Sequence, residues 1–228
     1  MSLQDYPGVS VTSVDTVKNP NYLFVYLDID SVASPGLLSF NFHDGKKEFT
    51  SSYELRERNN KKGAQGFSSE DVLYLIMPDR FANGNPANDN LEEWVADRSS
   101  GMGHHGGDLQ GIKDHLDYLE ELGVTAIWLN PVQFNKGNAS HGYAISDYYL
   151  IDPRLGTYEE YIELIDAAHE KDIKVVMDMI FNHSGSSHWW LSDVPADDWF
   201  NQNEHAVNAG QRHSRGINGN QQPTPSRF

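Results

Sequence analysis

Four stretches of this 228-residue sequence carry most of the side chains able to do chemistry. Asp79-Arg80 leads into Asn83-Gly84-Asn85-Pro86-Ala87-Asn88-Asp89, and Gly101-Met102-Gly103-His104-His105-Gly106 leads into Gly107-Asp108. His141-Gly142-Tyr143 stands alone in mid-chain, and Asp178-Met179-Ile180-Phe181-Asn182-His183 follows an apolar run. Amide and carboxylate oxygens crowded into a Gly/Pro loop suit a hard cation, which takes about six to eight oxygens at short range. The same composition also makes a surface loop of Asx turns. Tyr143 offers a ring to the C–H face of a sugar, and His141 a hydrogen bond to its hydroxyls. A tyrosine packed in the core is the equal alternative. The G-x-G-x-x-G match at 101–106 is not a dinucleotide fingerprint, because polar Asp97-Arg98-Ser99-Ser100 stands where a strand is required. Its glycines let backbone approach a ligand or a neighbouring loop. His104, His105, His141 and His183 show no H-E-x-x-H and no pair at metal spacing on one helix, which argues against zinc.

These residues need elements to hold them. Val72–Met77, Val124–Leu129 and Lys174–Met177 are apolar runs of the kind expected of strands buried on both faces. Ile112, Leu116, Leu119 and Leu122 recur at helical spacing before Gly123. Tyr158 through His169 repeats the pattern, with Tyr161, Ile162, Ile165 and Ala168 on one face. The order β-α-β-α-β implies parallel strands joined by right-handed crossovers. In such folds the carboxyl ends of strands carry the functional side chains. Asp79-Arg80, Asn130-Pro131 and Asp178 all fall at such ends. Ahead of this region, 1–56 reads as short strands of a β-sandwich-like domain, incomplete at about 50 residues. Residues 57–70 read as a linker, 71–228 as the α/β part, and the polar tail from Asn201 to Phe228 as loop or disorder.

Composition narrows the function classes. Lys and Arg total 17 against 33 Asp and Glu, a formal charge of −16 that repels phosphate backbones and excludes nucleic acid as an expected partner. Cysteine is absent, which removes disulfides, thiol catalysis and Cys-based zinc. No run of ~18 apolar residues occurs, so no membrane span is expected. The start has neither a basic n-region nor an apolar h-region, so a signal peptide is absent or removed. A bacterial periplasm or cytoplasm is the expected compartment.

In order along the chain, these segments resemble the α-amylase family of glycoside hydrolases. Asp178-Met179-Ile180-Phe181-Asn182-His183 is similar to the family's D-x-x-x-N-H motif after the third barrel strand. His141-Gly142-Tyr143 with Ser146-Asp147-Tyr148, and Gly123 through Pro131, resemble its second strand and the loop that follows. Asp79-Arg80-Phe81 with the Asn-rich loop, and Gly106-Gly107-Asp108-Leu109-Gln110-Gly111, are most similar to the cyclomaltodextrinase and neopullulanase branch. The implied fold class is α/β: the N-terminal part of a (β/α)8 barrel, about three βα units, preceded by a partial all-β sandwich domain. The implied activity of the intact enzyme is retaining hydrolysis of α-1,4-glucosidic bonds in cyclodextrins, maltooligosaccharides or pullulan. Tyr143 would stack on the sugar at the cleavage position, His183 and His141 would contact it, and Asp178 and Asn182 would hold the site's architecture. Asn83, Asn85, Asn88, Asp89, Gly106 and Asp108 would bind a structural Ca²⁺, Gly106 through its carbonyl. A homodimer through the N-terminal region is also compatible with that branch. A retaining mechanism needs two carboxylates ~5 Å apart, and in this family they follow the fourth and fifth strands. No G-x-R-x-D-like segment occurs here. The nucleophile and the acid/base are therefore expected beyond Phe228, and the chain by itself is expected to be inactive. The alternative is a non-catalytic carbohydrate-binding or scaffold protein on a partial amylase-like fold, with Trp189, Trp190 and Trp199 as sugar platforms.

Overall fold

Alternating apolar residues make the first 55 residues β, as expected. The computed structural model describes residues 1–43, 45–57, 66–92, 94–137, 140–197 and 199–200. Most of the expected linker and the whole tail from Asn201 to Phe228 lie outside them. The expectation of loop or disorder for that tail therefore falls outside the described residues. The chain divides into two units, one built on Met1–Gln65 and one on Gly66–Val194.

The first unit contains β1 (Ser2–Leu3), β2 (Val9–Thr16), β3 (Leu23–Ile29), β4 (Gly36–His43) and β5 (Glu48–Leu55). β1, β4 and β5 form one antiparallel sheet, and β2 pairs with β3 in another. Leu38, Phe40 and Phe42 alternate along β4 and share a face with Tyr53, Ser51 and Phe49 of β5. Leu38 and Phe40 are buried, and the rings of Phe42 and Phe49 stack at 4.9 Å. Period-two burial of this kind holds a half-buried hairpin.

The second unit begins with β6 (Leu73–Ile76), the single turn α1 (Pro78–Phe81), a 3-10 turn at Pro86–Asn88 and the two-residue strands β7 (Asn90–Leu91) and β8 (Trp94–Val95). Helices α2 (Leu109–Asp114) and α3 (Leu116–Glu121) precede β9 (Ala126–Leu129). Then come the ribbon of β10 (Gln133–Phe134) and β11 (Asp147–Ile151), helix α4 (Tyr158–Glu170) and β12 (Lys174–Met177), with a last 3-10 turn at Trp189–Leu191. β6, β9 and β12 are parallel, with β9 in the centre. Their sequential order and sense are those of the opening strands of the expected barrel.

The helices explain the core. Ile112, Leu116, Leu119, Tyr161, Leu164 and Ala168 pack against Ile76, Ile127 and Leu129 on one face of the sheet. Each large side chain buried this way contributes roughly 1.5–3 kcal/mol over leaving it in water. Thr157 and Glu160 close a reciprocal capping box at the start of α4, with Thr157 N–H to Glu160 at 2.7 Å and Glu160 N–H to Thr157 at 3.2 Å.

Three expectations need correction. The strands are not buried on both faces. Register puts Leu75, Trp128 and Val176 on the face away from the helices, where Leu75 is 57% and Trp128 37% exposed. Apolar content alone cannot tell a covered face from an open one. The helix expected around 112–122 is two short helices broken at His115, whose ring nitrogen bonds the Gly111 carbonyl at 2.7 Å; Leu122 is exposed. In α4, Leu164 takes the buried place expected of Ile162, which is exposed.

Candidate active site

At the carboxyl end of β12, Asp178 meets residues from the other loops. The Tyr143 hydroxyl donates to its Oδ2 at 2.7 Å, and the Trp128 indole N–H donates to the same oxygen at 3.2 Å. Burial, together with the hydrogen bond to the Asp178 carboxylate and its charge, pushes the Tyr143 phenol up to about 12. Tyr143 therefore stays a neutral donor at ordinary pH. His183 lies 2.9 Å through Nε2 from the Tyr143 carbonyl. A carbonyl only accepts, so Nε2 carries a proton, and Nδ1 is buried with no partner among the described residues. His141 is tied to the same segment: its Nδ1 accepts from the Tyr143 N–H at 2.9 Å, and its ring lies 5.7 Å from the Tyr143 ring.

Four of the expected site residues thus converge: Asp178, Tyr143, His183 and His141. Asn182 does not join them, being exposed and absent from the hydrogen bonds that hold its loop. The expectation of a nucleophile and an acid/base beyond Phe228 falls outside the described residues. Beside His141 a cleft of ≈ 730 Å³ opens, walled by Val95, Met102, Ser146 and Ser187 among others. That volume is within the usual range for small-ligand sites.

The Asn-rich loop forms a second centre. The Asp108 carboxylate caps α2 through the Gly111 N–H at 2.6 Å and also accepts from the N–H groups of Gly84 and Asn85. The Asn83 amide donates to Asp89 Oδ1 at 2.7 Å, while the Asn85 side chain caps the 3-10 turn through the Ala87 N–H. Gly106, at φ +80°, lies so close that a Cβ there would collide with the Asp89 carboxylate and the Asn83 amide. Asn83 Oδ1 and Asn88 Oδ1 are buried without a partner among the described residues. Unpaired buried oxygens are costly in apolar surroundings, and a cation at this loop would satisfy them.

A third polar node joins Asp79 and His104, which the motifs contain, to Arg154, which they do not. Arg154 grips Asp152 with two nitrogens at 2.8 and 2.6 Å, bonds His104 and the Asn135 and Gly137 carbonyls, and lies 4.9 Å over the Trp94 ring. His104 in turn faces Asp79 at 3.4 Å. Burial works to raise the Asp79 carboxyl, but bonds from His104, Arg80 and the His105 N–H outweigh it and hold it below the usual carboxylate range. The 101–106 glycine run opens no helix, and its next residues are tied to Asp79 instead: His105 N–H to the carboxylate at 3.0 Å, Gly107 N–H to the carbonyl at 3.0 Å.

The comparisons with known proteins agree with this geometry. A model of the α-amylase catalytic domain matches residues 75–227, and a model of the cyclomaltodextrinase N-terminal region matches 1–59. The chain belongs to the α-amylase family. Among curated relatives, Neopullulanase 2 of Thermoactinomyces vulgaris is 42% identical over 56% of this chain and 22% of its own length. A cyclomaltodextrinase of Thermoanaerobacter pseudethanolicus is 38% identical over 60% of this chain and 25% of its own. The crystal structure of an Anoxybacillus α-amylase superposes with a TM-score of 0.58 at 38% identity, covering 69% of this chain and 34% of that one. The chain therefore spans about a quarter to a third of the family members it matches. The branch resemblance, cyclomaltodextrinase- and neopullulanase-like, holds.

Trp128, Arg154 and Tyr148 were not legible as site or support residues. Trp128 read only as the apolar middle of a strand, and Arg154 lies in none of the motifs. The Asp152-Pro153-Arg154 sequence directly after β11 was the one local signal for the node.

Proposed function

We propose that this chain supplies the sugar-contacting part of the active site of an α-glucan hydrolase. The intact enzyme cleaves α-1,4-glucosidic bonds in cyclodextrins, maltooligosaccharides or pullulan with retention. The observation that supports this most is the meeting of the Asp178–His183 loop with Tyr143, through bonds of 2.7 and 2.9 Å. A ring face, a buried ring nitrogen with no partner among the described residues and a carboxylate gathered together suit a neutral polyhydroxylated ligand, and His141 links them to the cleft it lines. The nucleophile and acid/base are expected on later strands of the intact enzyme, so the role of these residues is binding and orientation. Titrating the 228-residue chain with maltoheptaose tests the reading: binding that is lost in Tyr143→Ala supports it, and binding unchanged by that substitution overturns it. Release of reducing sugar from cyclodextrin by this chain at an enzyme's normal rate would contradict the assignment of the catalytic carboxylates elsewhere.

The loop of Asn83, Asn88, Asp89, Gly106 and Asp108 fits a structural Ca²⁺, supported by the two orphaned amide oxygens and the close backbone at Gly106, while Asn85, the sixth residue expected, spends its side-chain oxygen on the Ala87 N–H. The cation would supply charge balance and cross-link the loop to the start of α2. Calcium should raise the melting temperature of the wild type and leave Asp89→Ala unmoved; no shift in the wild type ends the proposal. A glycan-binding scaffold is the second reading, favoured by Trp189 at 39% exposure. Trp199 argues against a row of platforms, because it is buried against Trp190 at 5.2 Å.

A further inference from the structure

The loop that carries His183 has no regular structure of its own. Residues 180–185 follow β12 without entering a helix or a strand. Their placement depends on what they touch, and four bonds tie them to one segment, 143–148. His183 Nε2 meets the Tyr143 carbonyl at 2.9 Å, and the Gly185 N–H donates to the Ile145 carbonyl at 2.7 Å. The Tyr148 hydroxyl lies 3.0 Å from the Ile180 carbonyl and 2.8 Å from the His183 carbonyl. At Gly185 the backbones come so close that a Cβ would collide with the Ala144 carbonyl. Three of these contacts use the main chain of 143–148 or the His183 ring. Tyr148 alone reaches the loop with a side chain of β11, and it spans both ends of the Ile180–His183 turn.

We propose that Tyr148 is a positioning residue for sugar recognition: its hydroxyl clips the Ile180–His183 turn and so holds the His183 ring against the Tyr143 carbonyl. The inference rests on the reading that His183 and Tyr143 contact the sugar. The ring of Tyr148 is itself fixed, lying 5.7 Å from the His188 ring and 6.0 Å from the Trp190 ring. Burial pushes its phenol up to about 12, so the hydroxyl keeps its proton throughout the working pH range. A phenylalanine would keep the ring packing and remove the clip alone.

The test compares wild type with Tyr148→Phe in the full 228-residue chain. Histidine-ring ¹⁵N spectra, with His183 assigned from a His183→Gln variant, report which nitrogen of His183 carries the proton. The expected result is one fixed Nε2–H form in wild type, averaging between tautomers in Tyr148→Phe. If the phenylalanine variant does not fold, the wild-type Tyr148 hydroxyl proton is read directly: slow exchange with solvent supports the clip, and exchange as fast as that of a free phenol overturns it. An unchanged His183 spectrum in Tyr148→Phe overturns the proposal, whatever the glycan data show. Maltoheptaose affinity should fall about tenfold in the same variant, as expected when a buried bonded pair loses its donor. If His183 responds while neither protein binds maltoheptaose, the positioning holds and the sugar reading fails, so the two failures are told apart.

Discussion

The Arg154 node and the Tyr143–Asp178–His183 cluster are both polar, both held by loops at the same end of the sheet, and differently finished. Arg154 uses its guanidinium on a carboxylate, an imidazole, two carbonyls and an aromatic face, and it is 7% exposed. The sugar-side cluster keeps capacity in reserve. Asp178 has both donors on one oxygen, and His183 Nδ1 is buried with no partner among the described residues. A buried polar group left short of bonds is costly unless something else satisfies it. The difference teaches that polarity alone does not mark a binding site in this fold. Saturation marks a strut, and unspent bonding capacity marks a place for a ligand.

If that contrast is right, the strut should carry far more stability than the site. Arg154→Ala strands the Asp152 carboxylate, 3% exposed, and removes the Asp79–His104 chain's anchor. Removing one partner of such a buried pair costs about 3–5 kcal/mol. Urea unfolding followed by far-UV circular dichroism should show a large drop in midpoint or no folded baseline; a midpoint within error of wild type would break the contrast at its stronger end. Asp108→Ala comes next. It removes the α2 cap and leaves the N–H groups of Gly84, Asn85 and Gly111 without their acceptor. About 2 kcal/mol is expected, the upper end for a helix cap, read from the same unfolding curves in the presence of chelator.

The sequence exposed these two regions unequally, and the reason is physical. Strand β12 was legible to the residue, because Lys174–Met177 is a compact branched run between polar ends. The Asp178, His183 and Tyr143 positions were legible because motif spacing fixes which strand end a side chain leaves from. Arg154 was legible only as a neighbour of Asp152, since its other partners lie at 94, 104, 135 and 137, and a two-residue spacing does not announce a contact across 50 residues. The open face of Leu75 and Trp128 was misread for a related reason: a run of apolar residues reports hydrophobicity, not what covers it. The break at His115 depends on one side chain bonding back to Gly111, which periodicity does not register.

His188 is an intermediate case, buried like the strut yet, like the site, with a ring nitrogen, Nε2, that has no partner among the described residues. Its Nδ1 accepts from the Trp190 N–H at 3.1 Å, which requires the neutral ring. Burial pushes it down to about 4 from the ordinary 6.5, with Asp147 pulling weakly the other way. The unfolded chain therefore binds the extra proton first as pH falls. Stability is fully present above pH 6.5 and is lost as pH falls toward 4. Unfolding at pH 5 should be easier than at pH 7 by on the order of 1 kcal/mol. His188→Asn, which keeps an acceptor for the Trp190 N–H but does not titrate, should flatten that difference; an identical pH slope in the variant would remove His188 as its cause.

The smallest effect on stability belongs to the site itself. In Asp178→Asn the side chain keeps an oxygen able to accept from Tyr143 and Trp128, and the residue is only partly buried. Among the described residues no cation neutralises the charge it loses: both of its donors are neutral. The unfolding free energy should change by about 0.5 kcal/mol or less, within the range of replacing one neutral-donor bond by another. Maltoheptaose binding should nevertheless weaken severalfold, because bonds to a charged acceptor are about twice as strong as neutral ones. Calorimetric titration beside thermal unfolding separates the two quantities. A variant that loses stability on the scale of Arg154→Ala while binding is unchanged would make Asp178 a strut, and the distinction between saturated and unsaturated polar clusters would then not divide this molecule.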